Sequence, residues 1–145
     1  MKNMLKNKKG FTLVELLAVI VILALLIVIT ANTVLPMMNN SKDSGLRVET
    51  QRILNLASGE YQLKKMQSAT VPAFKVSELL GSAENYIGCV FVEESDGEFI
   101  YSYEVYDKKN KLQIVGKDQK LNAVSNQSVT RNVTVPSESV TTNCA

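Results

Sequence analysis

The sequence predicts an α+β chain in which one long N-terminal α-helix packs on a small antiparallel sheet of about three to four strands. Three observations predict it. After a ten-residue leader the chain runs through an apolar stretch with a single charge, continues with a stripe of apolar residues at helical spacing, and then passes into segments that alternate apolar and polar residues between turn signals. A length of 145 residues accommodates one modest domain plus an extended segment. The reading divides the chain into a basic leader at 1–10, a transmembrane helix at 11–35, an amphipathic continuation at 36–70 and a β-rich head at 71–145.

The leader holds Lys2, Lys6, Lys8 and Lys9 and no acidic residue. Without these four lysines the formal net charge of +2 becomes −2. The remainder is mildly acidic, which argues weakly against nucleic-acid binding through phosphate attraction, so no nucleic-acid partner is indicated. From Phe11 to Leu35 the only charged residue is Glu15, and Leu16–Ile29 is an uninterrupted apolar run. With its apolar neighbours the run reaches about 20 residues, enough to cross ~30 Å of hydrocarbon. A helix with one face in water shows polar positions every few residues. This one shows none, and it reads as a membrane segment surrounded by lipid. A cleaved secretory signal would have an apolar core of roughly 7–15 residues and small residues at its cut site. The run here is longer, and Thr30-Ala31-Asn32-Thr33 makes a poor cut site. Four lysines precede the span while Lys42 and Asp43 nearly cancel after it. The positive-inside rule then places the N-terminus in the cytoplasm and residues beyond about 36 outside.

A plain signal anchor explains the length and the flanks but not Glu15. A carboxylate in an apolar span costs about 2.5–3.5 kcal/mol at mid-helix and less near the end, so it marks a partner. Glu15 lies one helical turn after Phe11, on the same face. A cut between Gly10 and Phe11 would free an α-amino group, and that amine, from the same chain or a neighbour, is a natural counter-ion where screening is poor. Gly10, lacking a side chain, lets an extended backbone enter a protease cleft.

Lys9-Gly10-Phe11-Thr12-Leu13-Val14-Glu15 followed by Leu16–Ile29 closely resembles the prepilin signature of type IV pilins, type II secretion pseudopilins and competence pseudopilins. The resemblance covers about 30 residues and implies a pilin-like fold. It implies cleavage after Gly10 by a membrane-embedded prepilin peptidase and N-methylation of Phe11. It further implies pairing of Glu15 with the Phe11 amine of an adjacent subunit, through which the subunits form a helical homo-polymer. The partners implied are that peptidase, membrane lipid before assembly, an assembly platform in the membrane and other copies of the chain. The precursor would sit in the cytoplasmic membrane and the assembled pilus outside the cell. Many relatives carry a proline near the position of Asn32; here Pro36 comes four residues on. Either Pro36 bends the helix or the helix frays around Asn32-Thr33. A pseudopilin of a secretion or DNA-uptake machine shares the whole N-terminal argument. A single-pass anchored adhesin that never polymerises is the alternative from another class. Adhesion and twitching motility belong to an assembled fibre, and one subunit sequence does not choose among them.

Beyond Pro36, Asn39-Asn40-Ser41-Lys42-Asp43-Ser44-Gly45 is polar and helix-poor, a linker or weak point. Leu46, Ile53, Leu54, Ala57 and Tyr61, with Thr50 tolerated, then recur on one helical face, predicting an amphipathic helix over about 44–68. Val71-Pro72 ends it. Ser77–Gly81 predicts a short helical turn with a glycine stop. Strands are expected at Tyr86–Val92, Glu98–Tyr106 and Lys111–Val115, separated by a Glu93–Gly97 loop and an Asp107–Asn110 turn, with a further alternating stretch at Ser128–Val135. Phe99, Tyr101, Tyr103 and Val105 share one face, which predicts core packing for the tyrosines rather than stacking on bases or sugars. Gly116–Gln127 is ambiguous.

The chemistry of enzymes finds no footing. The sequence has no histidine, which removes Ser-His and Cys-His nucleophile pairs and His-bearing zinc sites, and it has no glycine-rich phosphate loop. No enzyme activity, cofactor or metal is expected. The acidic residues Glu93, Glu94, Asp96 and Glu98 read as a solvated turn rather than a calcium site. Export would permit a disulfide between the two cysteines, Cys89 and Cys144, closing a loop of about 55 residues and contributing roughly 2–4 kcal/mol. Two unpaired thiols are the alternative.

Overall fold

The computed structural model describes residues 10–67, 73–81 and 85–137. The chain divides into two units, Met1–Asn39 and Asn40–Ala145, and helix α1, Leu13–Met66, contributes to both.

In the first unit α1 is the apolar run. It is long and apolar enough to cross a membrane, and none of its most apolar window is buried by the rest of the protein. Its two threonines are accommodated without exposing polar groups: the Thr30 hydroxyl donates to the Leu26 carbonyl at 2.9 Å and the Thr33 hydroxyl to the Ile29 carbonyl at 3.2 Å. The backbone is helical through Asn32-Thr33 and through Pro36, so the fraying considered at Asn32 does not occur. Pro36 has no N–H to offer the Asn32 carbonyl, and the helix continues with that one bond missing.

In the second unit α1 lies across one face of a five-stranded antiparallel sheet ordered β1-β2-β3-β4-β5. The strands are β1 Phe74–Lys75, β2 Tyr86–Ser95, β3 Glu98–Asp107, β4 Leu112–Gln119 and β5 Val129–Arg131. A short helix, α2 Val76–Leu79, and a 3-10 helix at Leu121–Asn126 complete the head. The expected helical stripe is the buried one: Leu46, Thr50, Ile53, Leu54 and Ala57 face the sheet. They meet Val90, Val92, Tyr101, Tyr103, Val105, Leu112 and Ile114, with Val124 closing one side. The Thr50 hydroxyl donates to the Leu46 carbonyl at 2.8 Å, so its burial leaves nothing unpaired.

Several boundaries differ from expectation. The polar stretch from Asn39 to Gly45 is helical. Long-range anchors override its poor propensity: Asp43 accepts from Arg131 at 2.5 Å, and Arg47 donates from Nε to the Gln127 carbonyl at 3.0 Å. The sheet has five strands, one more than the upper expectation. The β2–β3 connection shrinks from a five-residue loop to a two-residue turn, since Ser95 pairs with Glu98. Asp96 and Gly97 both take positive φ, 53° and 78°, the geometry of a type I′ hairpin. Strand β4 runs four residues past Val115 because a bulge absorbs an irregularity: Tyr103 pairs with Gly116 while Tyr101 pairs with Gln119. Asp118, at φ 50°, is fixed there by Ser102, whose Oγ donates to Asp118 Oδ1 at 3.2 Å. The expected strand at Ser128–Val135 is regular only over Val129–Arg131.

Candidate functional site

Gly10 and Phe11 stand just before α1, both exposed. Thr12 occupies the N-cap position and Glu15 the third helical position, and the two side chains close on each other. The Glu15 carboxylate accepts through Oε2 from the Thr12 N–H at 2.8 Å and from the Thr12 hydroxyl at 2.9 Å. The Glu15 N–H in turn donates to Thr12 Oγ1 at 3.3 Å. This reciprocal arrangement is a capping box, which satisfies backbone donors left over at a helix start. The negative charge also lies at the positive end of the helix dipole.

From the sequence, Glu15 is a carboxylate in need of a counter-ion, the Phe11 amine of its own chain or of a neighbour, and Thr12 carries no role. The signal was present, since Thr12-Leu13-Val14-Glu15 has the spacing of a capping box. Both hydrogen bonds fall on Oε2. Among the described residues Oε1 has no partner, so one carboxylate oxygen at the helix start is open to a donor from another molecule. The structure brings Gly10, Phe11, Thr12 and Glu15 into one exposed segment at the start of the apolar helix. The leader lysines, residues 2, 6, 8 and 9, lie outside the described residues.

Cys89 is half-buried in β2, paired across the sheet with Lys75 and Glu104. No cysteine among the described residues is a free thiol, and Cys144 lies outside them. In the acidic turn, Glu94 pairs with Lys65 at 2.5 Å and Glu98 pairs with Lys120. Tyr101 and Tyr103 are in the core, as their shared face predicted. Tyr106 lies instead on the outer face, donating its hydroxyl to Glu104 at 2.6 Å.

A family model described as the prokaryotic N-terminal methylation motif matches residues 5–31. The chain carries the type IV prepilin signature. The match brackets Gly10, Phe11, Thr12 and Glu15 and covers the start of the apolar helix. The motif is that of type IV pilin-like and pseudopilin-like prepilins, and it implies processing by a prepilin peptidase and pilus or secretion assembly. Proteins with this motif are structural subunits rather than enzymes. The long helix on a five-stranded antiparallel sheet is pilin-like. Comparison with curated proteins and with solved structures returns no match.

Proposed function

We propose that this prepilin is the structural subunit of a type IV pilus filament. It inserts once into the cytoplasmic membrane with its N-terminus inside, and prepilin peptidase cuts it between Gly10 and Phe11. The same enzyme methylates the freed Phe11 amine. An assembly platform then draws the apolar helix, 11–35, out of the lipid and into the core of a homo-polymer. The amphipathic half of the helix, 36–70, carries the head, 71–145, on the outside of the fibre, and a Cys89–Cys144 disulfide ties down the end of the chain. The subunit does no catalysis of its own.

The observation that supports this reading best is the open Oε1 of Glu15 beside Phe11. A cap needs only an acceptor at this position, and a glutamine supplies one as well as a glutamate does. Pairing with a neighbour's ammonium needs the charge. Glu15→Gln therefore separates the two roles. The variant is expected to insert in the membrane and to be processed normally, yet to leave cells without fibres by electron microscopy. Wild-type numbers of fibres from Glu15→Gln would defeat the pairing and leave Glu15 as a helix cap alone.

A further inference from the structure

Away from the N-terminus, the head carries an open groove of about 640 Å³ between α1, the start of β3 and the start of the 3-10 helix. Its volume is within the roughly 300–1,000 Å³ of small-molecule sites. Helix α1 supplies Gln51, Asn55 and Ser58, whose spacing of four and then three residues sets them on one face. The 3-10 helix supplies Asn122. Among the described residues none of the side-chain amides of Gln51, Asn55 and Asn122 has a hydrogen-bond partner. Their donors and acceptors do no structural work. An apolar side is supplied by Phe99, held edge-on to Tyr61 with ring centroids 5.9 Å apart and an interplanar angle of 74°.

The charges in the groove balance. Glu98 and Lys120 both line it and form an ion pair with each other, joining the start of β3 to the start of the 3-10 helix. A groove with no net field has no preference for an anion or a cation. Nor does it suit a peptide added as a strand, since its helical wall offers no row of free backbone groups. Carboxamides donate and accept at once, which matches hydroxyls that do the same, and an aromatic ring takes the C–H face of a ligand whose edges are polar. We propose that this groove binds a neutral, hydroxyl-rich ligand, a short saccharide, through Gln51, Asn55 and Asn122 against Phe99. The inference is independent of whether the chain polymerises.

The test uses the full chain in sugar-free detergent micelles, titrated with maltotriose, N,N′,N″-triacetylchitotriose and, as an anionic comparator, trigalacturonate. Saturation-transfer NMR detects contact and calorimetry gives affinity. At least one neutral trisaccharide is expected to bind, more tightly than trigalacturonate. Asn55→Ala and Asn122→Ala are each expected to weaken it about five- to tenfold, on the order of 1 kcal/mol, with far-UV circular dichroism unchanged. Three results overturn the proposal: no neutral trisaccharide bound at roughly 10 mM, binding unaffected by either substitution, or a preference for trigalacturonate. Failure to bind sugar combined with loss of fibres in the same variants would overturn it too, and would assign the groove to contact between subunits.

Discussion

One carboxylate at Glu15 serves its own helix through one oxygen and leaves the other free, and similar close accounting holds at other single residues. Gly88 takes φ +141°, and a Cβ there would lie 1.9 Å from the Glu104 carbonyl oxygen on the adjacent strand. Gly88→Ala is expected to lower stability by several kcal/mol, read from urea unfolding of the full chain in micelles, because backbone cannot yield as a side chain does. Tyr103 presents the opposite case. Its hydroxyl is buried without a hydrogen-bond partner. Tyr103→Phe is therefore expected to be as stable as the native chain or more so at neutral pH. Burial also pushes the Tyr103 phenol up to about 12, from an ordinary 10. Tyr106 is likewise raised to about 12, by burial and by its bond to Glu104. Above pH 10 the unfolded chain loses these protons while the folded chain keeps them, so stability holds below about 10 and falls as pH rises towards 12. Tyr103→Phe should make that alkaline decline shallower; an unchanged slope would contradict the assignment. In the sequence, the burial of Tyr103 was legible from its alternation with Tyr101 and Val105. Its unpaired hydroxyl and the strain at Gly88 were not, since both depend on what the neighbouring strand brings opposite.

Elements were legible where their period repeats. The stripe from Leu46 to Ala57 runs over more than three turns and is the stripe that packs on the sheet. β1 escaped notice because two residues carry no period, and β4 was cut short because a bulge breaks its alternation at Gly116. Asn39–Gly45 was open between linker and helix for a different reason: local propensity disfavours helix there, while its anchors come from about 80 residues further along the chain. The Asp43–Arg131 pair is mostly buried, with Asp43 Oδ1 left unpaired. Removing the arginine strands a carboxylate, whereas removing both groups strands nothing. Arg131→Met is expected to cost more than the Arg131→Met, Asp43→Leu double variant, with a coupling of about 1–2 kcal/mol in a double-mutant cycle. Additive effects would show that the pair does not hold this part of α1 to the head.

At the scale of the whole molecule, the two units answer to different solvents. The head buries a conventional core, while the described residues 10–39 bury nothing and leave Leu16–Ile29 uncovered. Such a surface calls for lipid or another apolar surface to cover it. The apolar run and its signature were the most legible part of the sequence, since membrane length and a misplaced carboxylate need no tertiary information to be read. The capping box at the same spot is less legible, because a lone charge in an apolar run points first to a counter-ion. The account turns on a free amine at Phe11, and intact-mass and N-terminal fragment analysis of protein sheared from cell surfaces tests it most directly. The prediction is a chain that begins at Phe11 and carries one methyl group on that residue's nitrogen. Surface protein that still begins at Met1 would contradict it.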